Sequence, residues 1–443
     1  MKCSLLLPGV ILLAIGASKA AEPREASAPS IAIKAGRLMD VANGRFLERQ
    51  IVVITGEVIQ AVGSESATRV PEGATVIDLG HAWVLPGLID CHVHLASDRG
   101  GVAGVMAGMT EGVAAHAYEA AVNARKTLDA GFTTVRNLGD RDGVTLALRD
   151  AIAAGKVPGP RIVDAGTSIS ATAGHMDPTL GFREELHDVL DRHENTCNGA
   201  DDCRRAVRRQ IARGVDVIKF ATTGGVNSRI GLGMGPQMFE DEAKAIVETA
   251  HLYGKKVAVH AHGTAGITLA LKAGADSIEH GTLLDEEGIG LFLKAGAWYV
   301  PTLSTINGYL QRLKADPNAY EPAVREKIEW RIRVTGEALQ RAFPRGVKIA
   351  FGTDAGVSKH GRNADEFRLM VKHGMPPAEA IKAATVNAAE LLGLSAKVGQ
   401  VTPGRYADLI AVTNNPIEDI TVLERVSFVM KGGAVWKDAR RER

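Results

Sequence analysis

The sequence predicts an α/β protein, a (β/α)8 TIM barrel with a small β-sandwich domain formed from both chain ends. The first observation is that eight short apolar segments alternate with helical patterns over roughly 300 residues, as in barrels of this kind. The second is that β-type runs broken by glycine occupy both chain ends without any long helical pattern. An open doubly wound sheet is the alternative, but no G-x-G-x-x-G motif follows the first strand.

The barrel strands are predicted from short apolar runs, and the helices from amphipathic runs between them. The predicted strands lie at 89–95, 133–138, 161–165, 215–220, 256–261, 276–280, 298–303 and 348–354. The clearest helical patterns cover 111–130, 203–213, 240–253, 264–273 and 319–343. We therefore expect a barrel over 85–395 and a small β domain built from 21–84 and 396–443.

Composition narrows the classes of function. The 443 residues include 52 Lys and Arg against 51 Asp and Glu, a net charge of +1, so no basic surplus indicates a nucleic-acid partner. Aromatic residues are only 5% of the chain, which argues against a platform that stacks sugars or bases. The 49 glycines suit a fold with many tight turns between strands and helices.

Residues 1–20 resemble a secretory signal peptide. Lys2 precedes an apolar run over 5–17, and small residues lead to a cleavage site before Ala21. An uncleaved anchor is the alternative, although the run is short for a membrane span. We expect a secreted or periplasmic protein without a stable membrane span after cleavage.

Two cysteines lie close together in the chain. Cys197 and Cys203 bracket a short polar segment, and in an oxidising compartment we expect them to form a disulfide. Two free surface thiols are the alternative. Cys91 lies in an apolar run and is expected to be a small buried residue.

Polar residues at the carboxyl ends of the predicted strands indicate a metal site. Barrel enzymes place their chemistry at these ends, so the side chains should converge on one mouth. His92 and His94 are two residues apart on one strand and therefore face the same side. Imidazole and carboxylate ligands together favour zinc. The convergent set is His92, His94, Lys219, His260, His280 and Asp354.

Lys219 is an unusual member of this set, because a buried ammonium group would repel metal ions. Reaction of its neutral amine with carbon dioxide gives a carbamate, an anion whose two oxygens can bridge two metals. The alternative is an ion pair of Lys219 with Asp354 or Glu279.

The string LPGLIDCHVH at 85–94, followed by Lys219, His260, His280 and the Gly-Thr-Asp at 352–354, resembles the amidohydrolase superfamily. The resemblance extends over nearly the whole mature chain, including the GRYADLI string at 404–410. Within the superfamily the chain is most similar to the imidazolonepropionase-related metal-dependent dipeptidases, a group with prolidases, Xaa-Arg/Lys dipeptidases and ochratoxin-hydrolysing amidases. True imidazolonepropionases have one metal and no bridging lysine, so Lys219 argues against that activity.

This resemblance implies a two-zinc centre. His92, His94 and Asp354 would hold one ion, His260 and His280 the other, and carboxylated Lys219 would bridge them. It implies attack by a metal-bridging hydroxide, with Asp354 as the catalytic group that moves the proton. It also implies a large homo-oligomer.

The expected reaction is hydrolysis of the amide bond of a dipeptide or N-acyl amino acid, with release of the C-terminal amino acid. A hydrolase of a cyclic amide, lactone or phosphotriester on the same centre is the main alternative, and a catalytically silent binding protein is another. The resemblance implies that His175 and His262 contact the substrate, and a histidine cation with nearby backbone N–H groups would suit a free carboxylate. Alternatively, His175 is solvent-exposed and His262 only hydrogen-bonds a ligand.

Three further segments are weaker candidates. The paired glycines of loop 222–226 would let the backbone approach a ligand, or simply form a turn. Tyr309 and the stretch 359–362 lie in the loops after strands seven and eight, where we expect contacts that select the substrate.

Overall fold

The computed structural model describes residues 30–191, 195–229 and 233–439. The predicted signal peptide at 1–20 and the first residues of the predicted small domain lie outside the described residues. Within them, no helix is long and apolar enough to cross a membrane.

The described chain is an α/β protein in which strands and helices alternate through the middle. Its strands are β1 Ser30–Asp40, β2 Arg45–Thr55, β3 Val58–Ser64, β4 Thr75–Pro86, β5 Leu88–Val93, β6 Phe132–Asn137, β7 Arg161–Asp164, β8 Val217–Ala221, β9 Lys256–Ala261, β10 Ser277–His280, β11 Trp298–Val300, β12 Lys348–Ile349, β13 Leu409–Val412, β14 Phe428–Lys431 and β15 Ala434–Asp438. Its helices are α1 Gly101–Thr110, α2 Val113–Asp129, α3 Val144–Ala153, α4 His187–Leu190, α5 Ala200–Ala212, α6 Glu240–Leu252, α7 Thr264–Ala273, α8 Glu286–Ala295, α9 Thr305–Ala315, α10 Pro322–Arg333, α11 Glu337–Ala342, α12 Asp365–Lys372, α13 Pro377–Lys382 and α14 Ala388–Leu391.

Strands from both chain ends pair with each other. They form one seven-stranded sheet in the order β15-β14-β13-β4-β1-β2-β3. The sheet curls so that its edge strand β3 approaches the segment just before β13. There the N–H of Ile59 donates to the carbonyl of Arg405 at 2.9 Å. Its core includes Ile33, Val52 and Phe428. The predicted β-sandwich, two sheets packed face to face, is not confirmed.

Each of the eight strands predicted in the middle of the chain coincides with one of β5 to β12. They pair in parallel as a sheet of three, β5-β6-β7, and a sheet of five, β12-β11-β10-β9-β8. Every residue of β5, β6 and β8 is buried, as expected for parallel strands covered by helices.

Backbone hydrogen bonds cross both junctions between these two sheets. At one junction the N–H of Cys91 donates to Phe351 O at 2.9 Å. At the other, the N–H of Asp216 donates to Asp164 O at 2.7 Å, and that of Ile169 donates to Lys219 O at 2.8 Å. The carboxyl ends of all eight strands therefore lie around one mouth.

The helix predicted over 319–343 is wrong as a continuous element, since the structure divides it into α10 and α11. Gly336 between them has φ +86°, and a Cβ there would lie 2.2 Å from the imidazole of His373. Helical periodicity alone does not register such a break, because it depends on a side chain distant in sequence.

The cysteines are placed in the interior. Cys197 and Cys203 form a disulfide, and both are fully buried. Cys91 is a free, buried cysteine in β5.

Candidate active site

The structure brings the predicted metal ligands together in two groups at the mouth. In the first, ligand atoms of His92, His94 and Asp354 lie within 4.8 Å of one another. Asp354 Oδ1 is 3.6 Å from His92 Nε2 and 3.2 Å from His94 Nε2. In the second, His260 and His280 come within the same distance, together with His262.

The backbone at this mouth is strained. His280 and Asp354 have φ +71° and +57°, left-handed values that non-glycine residues seldom adopt. Such conformations cost roughly 1–3 kcal/mol and concentrate at functional sites. Gly352 is also required, because a Cβ there would lie 2.4 Å from Val300 and 3.1 Å from the Cβ of His92.

In each predicted ligand histidine, one ring nitrogen contacts a residue outside the two groups, which leaves the other nitrogen free to bind a metal. The four outward contacts are His92 Nδ1 with Glu279 Oε2 at 2.9 Å, His94 Nδ1 with Gly139 O at 3.1 Å, His260 Nε2 with Gly224 O at 3.3 Å, and His280 Nδ1 with Thr302 Oγ1 at 2.7 Å. Burial lowers the pKa of His92 to about 4 and those of His260 and His280 well below the ordinary value. Neutral imidazoles with one free nitrogen are what metal ligation requires.

Lys219 lies beneath these groups on β8. It is 1% exposed, and its Nζ has no hydrogen-bond partner among the described residues. Burial lowers the pKa of its amine to about 8 in spite of the neighbouring Glu279 carboxylate. An orphaned buried amine beside four histidines and a carboxylate fits a chemically modified lysine between two cations. The donor set therefore fits a two-metal centre.

His262 and His175 flank the second group. The His262 ring stacks on His280, with centroids 4.8 Å apart, and its Nδ1 lies 2.8 Å from Thr282 Oγ1. The His175 ring lies 4.2 Å from that of His260. Gly225 makes this possible, since a Cβ there would be 2.3 Å from the His175 ring. Loop 222–226 thus lies at the site.

The surroundings of His175 do not favour a positive charge on its ring. Burial, reinforced by the charge of Lys219, lowers the pKa of His175 to about 4. Its Nδ1 lies 2.7 Å from Ser228 Oγ. At neutral pH His175 can therefore offer a neutral N–H but no charge.

A cavity of about 320 Å³ opens above the two histidine groups. Tyr309 lines it, as predicted, and its hydroxyl accepts from Asn227 Nδ2 at 3.2 Å. Arg331 of α10 also lines it, which sequence reasoning missed because no motif surrounds this residue. Arg331 is 2% exposed and bonds only neutral groups: Thr335 Oγ1 at 3.1 Å and the carbonyls of Pro301 and Thr302 at 3.4 Å.

The stretch 359–362, expected to contact the substrate, is not among the residues that line this cavity. Lys359 Nζ donates to Asp98 O at 2.8 Å, and His360 Nε2 lies 3.1 Å from His94 O. Arg362 pairs with Asp365 and Glu424. The stretch supports the loop after β5 from outside.

The fold and this site together describe an α/β protein with a candidate metal centre at the ends of parallel strands. The chain belongs to the amidohydrolase family, whose match covers residues 83–435. It is therefore a hydrolase, and the amidohydrolase resemblance predicted from its motifs is confirmed.

Similar proteins cover most of the chain. It is 35% identical to the ochratoxinase of Aspergillus niger over 436 residues, which span 91% of this chain and 86% of that protein. A crystal structure of a Xaa-Pro dipeptidase with bound methionine in the active site is 41% identical with a TM-score of 0.87, covering 92% of this chain and all of that one. A prolidase complexed with N-methylphosphonate-L-proline is 31% identical with a TM-score of 0.84, at 92% and 100% coverage.

Proposed function

We propose that this chain is a zinc-dependent amidohydrolase that cleaves dipeptides or N-acyl amino acids and releases the C-terminal amino acid. The names of the similar proteins, an ochratoxinase, a Xaa-Pro dipeptidase and a prolidase, support hydrolysis of an amide whose leaving group is an amino acid. One of these proteins has methionine, an amino acid, bound in its active site.

The observation that carries the proposal is the buried cation of Arg331 in the cavity. No carboxylate of the described residues lies within ion-pair distance of it, so its charge is compensated only by neutral acceptors. A buried guanidinium without an anionic partner is costly, and a substrate carboxylate would supply that partner with two parallel hydrogen bonds. His175 and Tyr309 border the same cavity and would add neutral donors.

The residues of the site would have different roles in the reaction. His92, His94 and Asp354 would hold one metal ion and His260 and His280 the other, with carboxylated Lys219 between them. Such ions would acidify a water molecule and polarise the amide carbonyl. Asp354 would take the proton of the attacking water on Oδ and give it to the leaving nitrogen as the C–N bond breaks. His262 would donate from Nε2 to the substrate.

We further infer a closed (β/α)8 barrel and an exported protein. The hydrogen bonds across both junctions between the parallel sheets support closure. The signal-like segment 1–20 and the buried Cys197–Cys203 disulfide support export to an oxidising compartment.

The proposal is tested by incubating the zinc- and bicarbonate-supplied protein with matched substrate pairs, each dipeptide or N-acyl amino acid compared with its C-terminal carboxamide. We expect amino-acid release from the free acids and little from the carboxamides. Turnover of lactones, cyclic amides or phosphotriesters with no release from the panel would contradict the substrate class while leaving the metal centre intact.

Replacing Arg331 with methionine should raise KM for free-acid substrates by about 10- to 100-fold, the range expected for a lost charged hydrogen bond. Steady-state kinetics on both members of each pair measure this, and the carboxamide should be affected much less. Arg333→Met, on the exposed side of the same helix, is the matched control. Equal losses on acid and carboxamide would show that Arg331 has no role in carboxylate binding.

We also propose that the protein forms homo-oligomers through the α1–α2 surface. This surface consists of side chains between 46% and 77% exposed: Val102, Met106, Met109, Val113, Tyr118 and Val122. No Lys or Arg occurs from 100 to 124, and both acids, Glu111 and Glu119, pair with Arg99. A second copy of this surface can cover it without like-charge repulsion. The cations that border this surface, Arg99, Arg125 and Lys126, are each paired with a carboxylate, so little free positive charge is available to attract an anionic membrane.

Changing Met106 and Met109 to glutamate should lower the molar mass measured by light scattering after size exclusion, because both charges would enter the interface. Leu293→Glu in α8, a residue outside this surface that is 48% exposed like Met109, should leave the mass unchanged. A monomeric wild type at micromolar concentration, an unchanged mass of the double variant, or binding of the wild type to phospholipid vesicles would each overturn this interface.

A further inference from the structure

The four predicted ligand histidines differ in what holds their outward ring nitrogens. His94, His260 and His280 contact a carbonyl or a hydroxyl, all neutral acceptors. His92 alone among them contacts a carboxylate, with Nδ1 at 2.9 Å from Glu279 Oε2. A carboxylate partner fixes the tautomer and makes the opposite nitrogen a stronger donor to a metal than a neutral partner does.

Glu279 is itself held rigidly. Its Oε1 accepts from Arg136 Nη2 at 2.8 Å and from Ser277 Oγ at 2.6 Å, which leaves Oε2 for His92. Arg136 also donates to Ser277 Oγ at 3.1 Å and from Nε to Cys91 O at 2.6 Å. Glu279 is completely buried and Arg136 is 1% exposed, so solvent does not compete for these bonds.

The charges reinforce this difference. The first group contains the Asp354 carboxylate and reaches Glu279 through His92. The second group, His260 with His280 and His262, contains no carboxylate of its own. Because the charge of Glu279 is paired with Arg136 and Lys219 would serve both ions, Asp354 supplies the negative charge that favours a cation in the first group, while Glu279 acts through its hydrogen bond to His92.

We propose that Glu279, clamped by Arg136 and Ser277, is a positioning residue that makes the group of His92, His94 and Asp354 the higher-affinity metal position of the pair. The inference rests on the two-metal centre of the proposed function and adds an order of filling and its structural cause. Sequence reasoning considered Glu279 only as a partner of Lys219.

The test is a zinc titration of the chelator-treated full-length protein against a competing chromophoric chelator. The wild type should bind two equivalents in two resolved steps. In Glu279→Gln the tighter step should weaken by about 10- to 100-fold, the usual effect of losing such a partner. Ser277→Ala, which keeps the carboxylate but removes one of its donors, should weaken the same step by roughly fivefold.

Glu366→Gln is the matched control. Glu366 is also fully buried, but its carboxylate accepts the backbone N–H groups of Leu303 and Ser304. It should leave the tighter step unchanged even if it lowers the melting temperature. Unchanged binding in Glu279→Gln and Ser277→Ala, or equal weakening of both steps, overturns the role of Glu279. Failure of the wild type to bind two equivalents would instead refute the two-metal centre itself.

Discussion

Replacing Lys219 with alanine is expected to lower kcat/KM by at least about 100-fold, the upper end of the loss caused by removing a supporting partner of a metal ligand. Lys219 is an electrostatic neighbour of histidines in both groups, and its Nζ has no hydrogen-bond partner among the described residues. Without it, two cations would face each other with no bridging anion from the protein. Metal analysis of the same preparation should show reduced occupancy.

The chemistry of the lysine follows from its burial. With a pKa of about 8, roughly one amine in ten is neutral at pH 7, whereas an ordinary lysine is almost entirely charged. Only the neutral amine reacts with carbon dioxide. Reloading of the wild-type apoprotein should therefore be faster with bicarbonate, and labelled bicarbonate should give a carbamate signal by carbon NMR.

Short carboxylates such as acetate should restore part of the activity of Lys219→Ala, because they fit the vacated space and supply a bridging anion. Lys431→Ala is the matched control. Lys431 of β14 also has a pKa lowered to about 8 by burial, but its Nζ donates to Gly159 O, away from the histidine groups. Full activity of Lys219→Ala without added carboxylate would eliminate the bridging role and favour the simple ion pair considered for this lysine.

The strands and the cluster of candidate ligands could be predicted from sequence, because they depend on a local apolar pattern and on the rule that barrel strands end at a common mouth. A buried parallel strand is a short apolar run, and the residue that ends it must lie at the common mouth. His92, His260 and His280 are found there for that reason. The rule assigns positions but not partners, so Glu279 gave no signal for its contact with His92, 187 residues away.

Arg331 and Gly336 show where sequence reasoning fails. Arg331 lies in a charged helix whose face toward the cavity is set by packing against other elements. Gly336 separates α10 from α11 because its φ is +86°, and only glycine fits there since His373 occupies the space of a Cβ. The stretch 359–362 shows the reverse case. Its charged residues resembled a substrate site in the sequence, but in the structure they bond to neighbouring loops.

Replacing Asp354 with asparagine should lower kcat by about 10²- to 10⁴-fold at saturating metal, the usual contribution of a positioned proton acceptor. The amide oxygen can still act as a ligand, but it cannot accept the proton of the attacking water. Metal content must be measured on the same sample, so that loss of the ion is separated from loss of the base. KM for free-acid substrates should change little, because Arg331 is untouched.

The pH profile identifies the base, because the cavity holds a second carboxylate of different character. Burial tends to raise the pKa of Asp354, but its interactions with His92, His94 and Lys219, including a hydrogen bond with His94, outweigh burial and hold the pKa below its usual value. Asp140, also lining the cavity, has its pKa raised to about 7 by burial and by Asp164.

The pH dependence of kcat distinguishes these two carboxylates. A general base is active when deprotonated, so kcat falls as the pH falls through the pKa of the base. If Asp354 is the base, kcat stays level from pH 7 down to about 5 and Asp140→Asn keeps that profile. A decline centred near pH 7 that Asp140→Asn abolishes would transfer the proton-accepting role to Asp140.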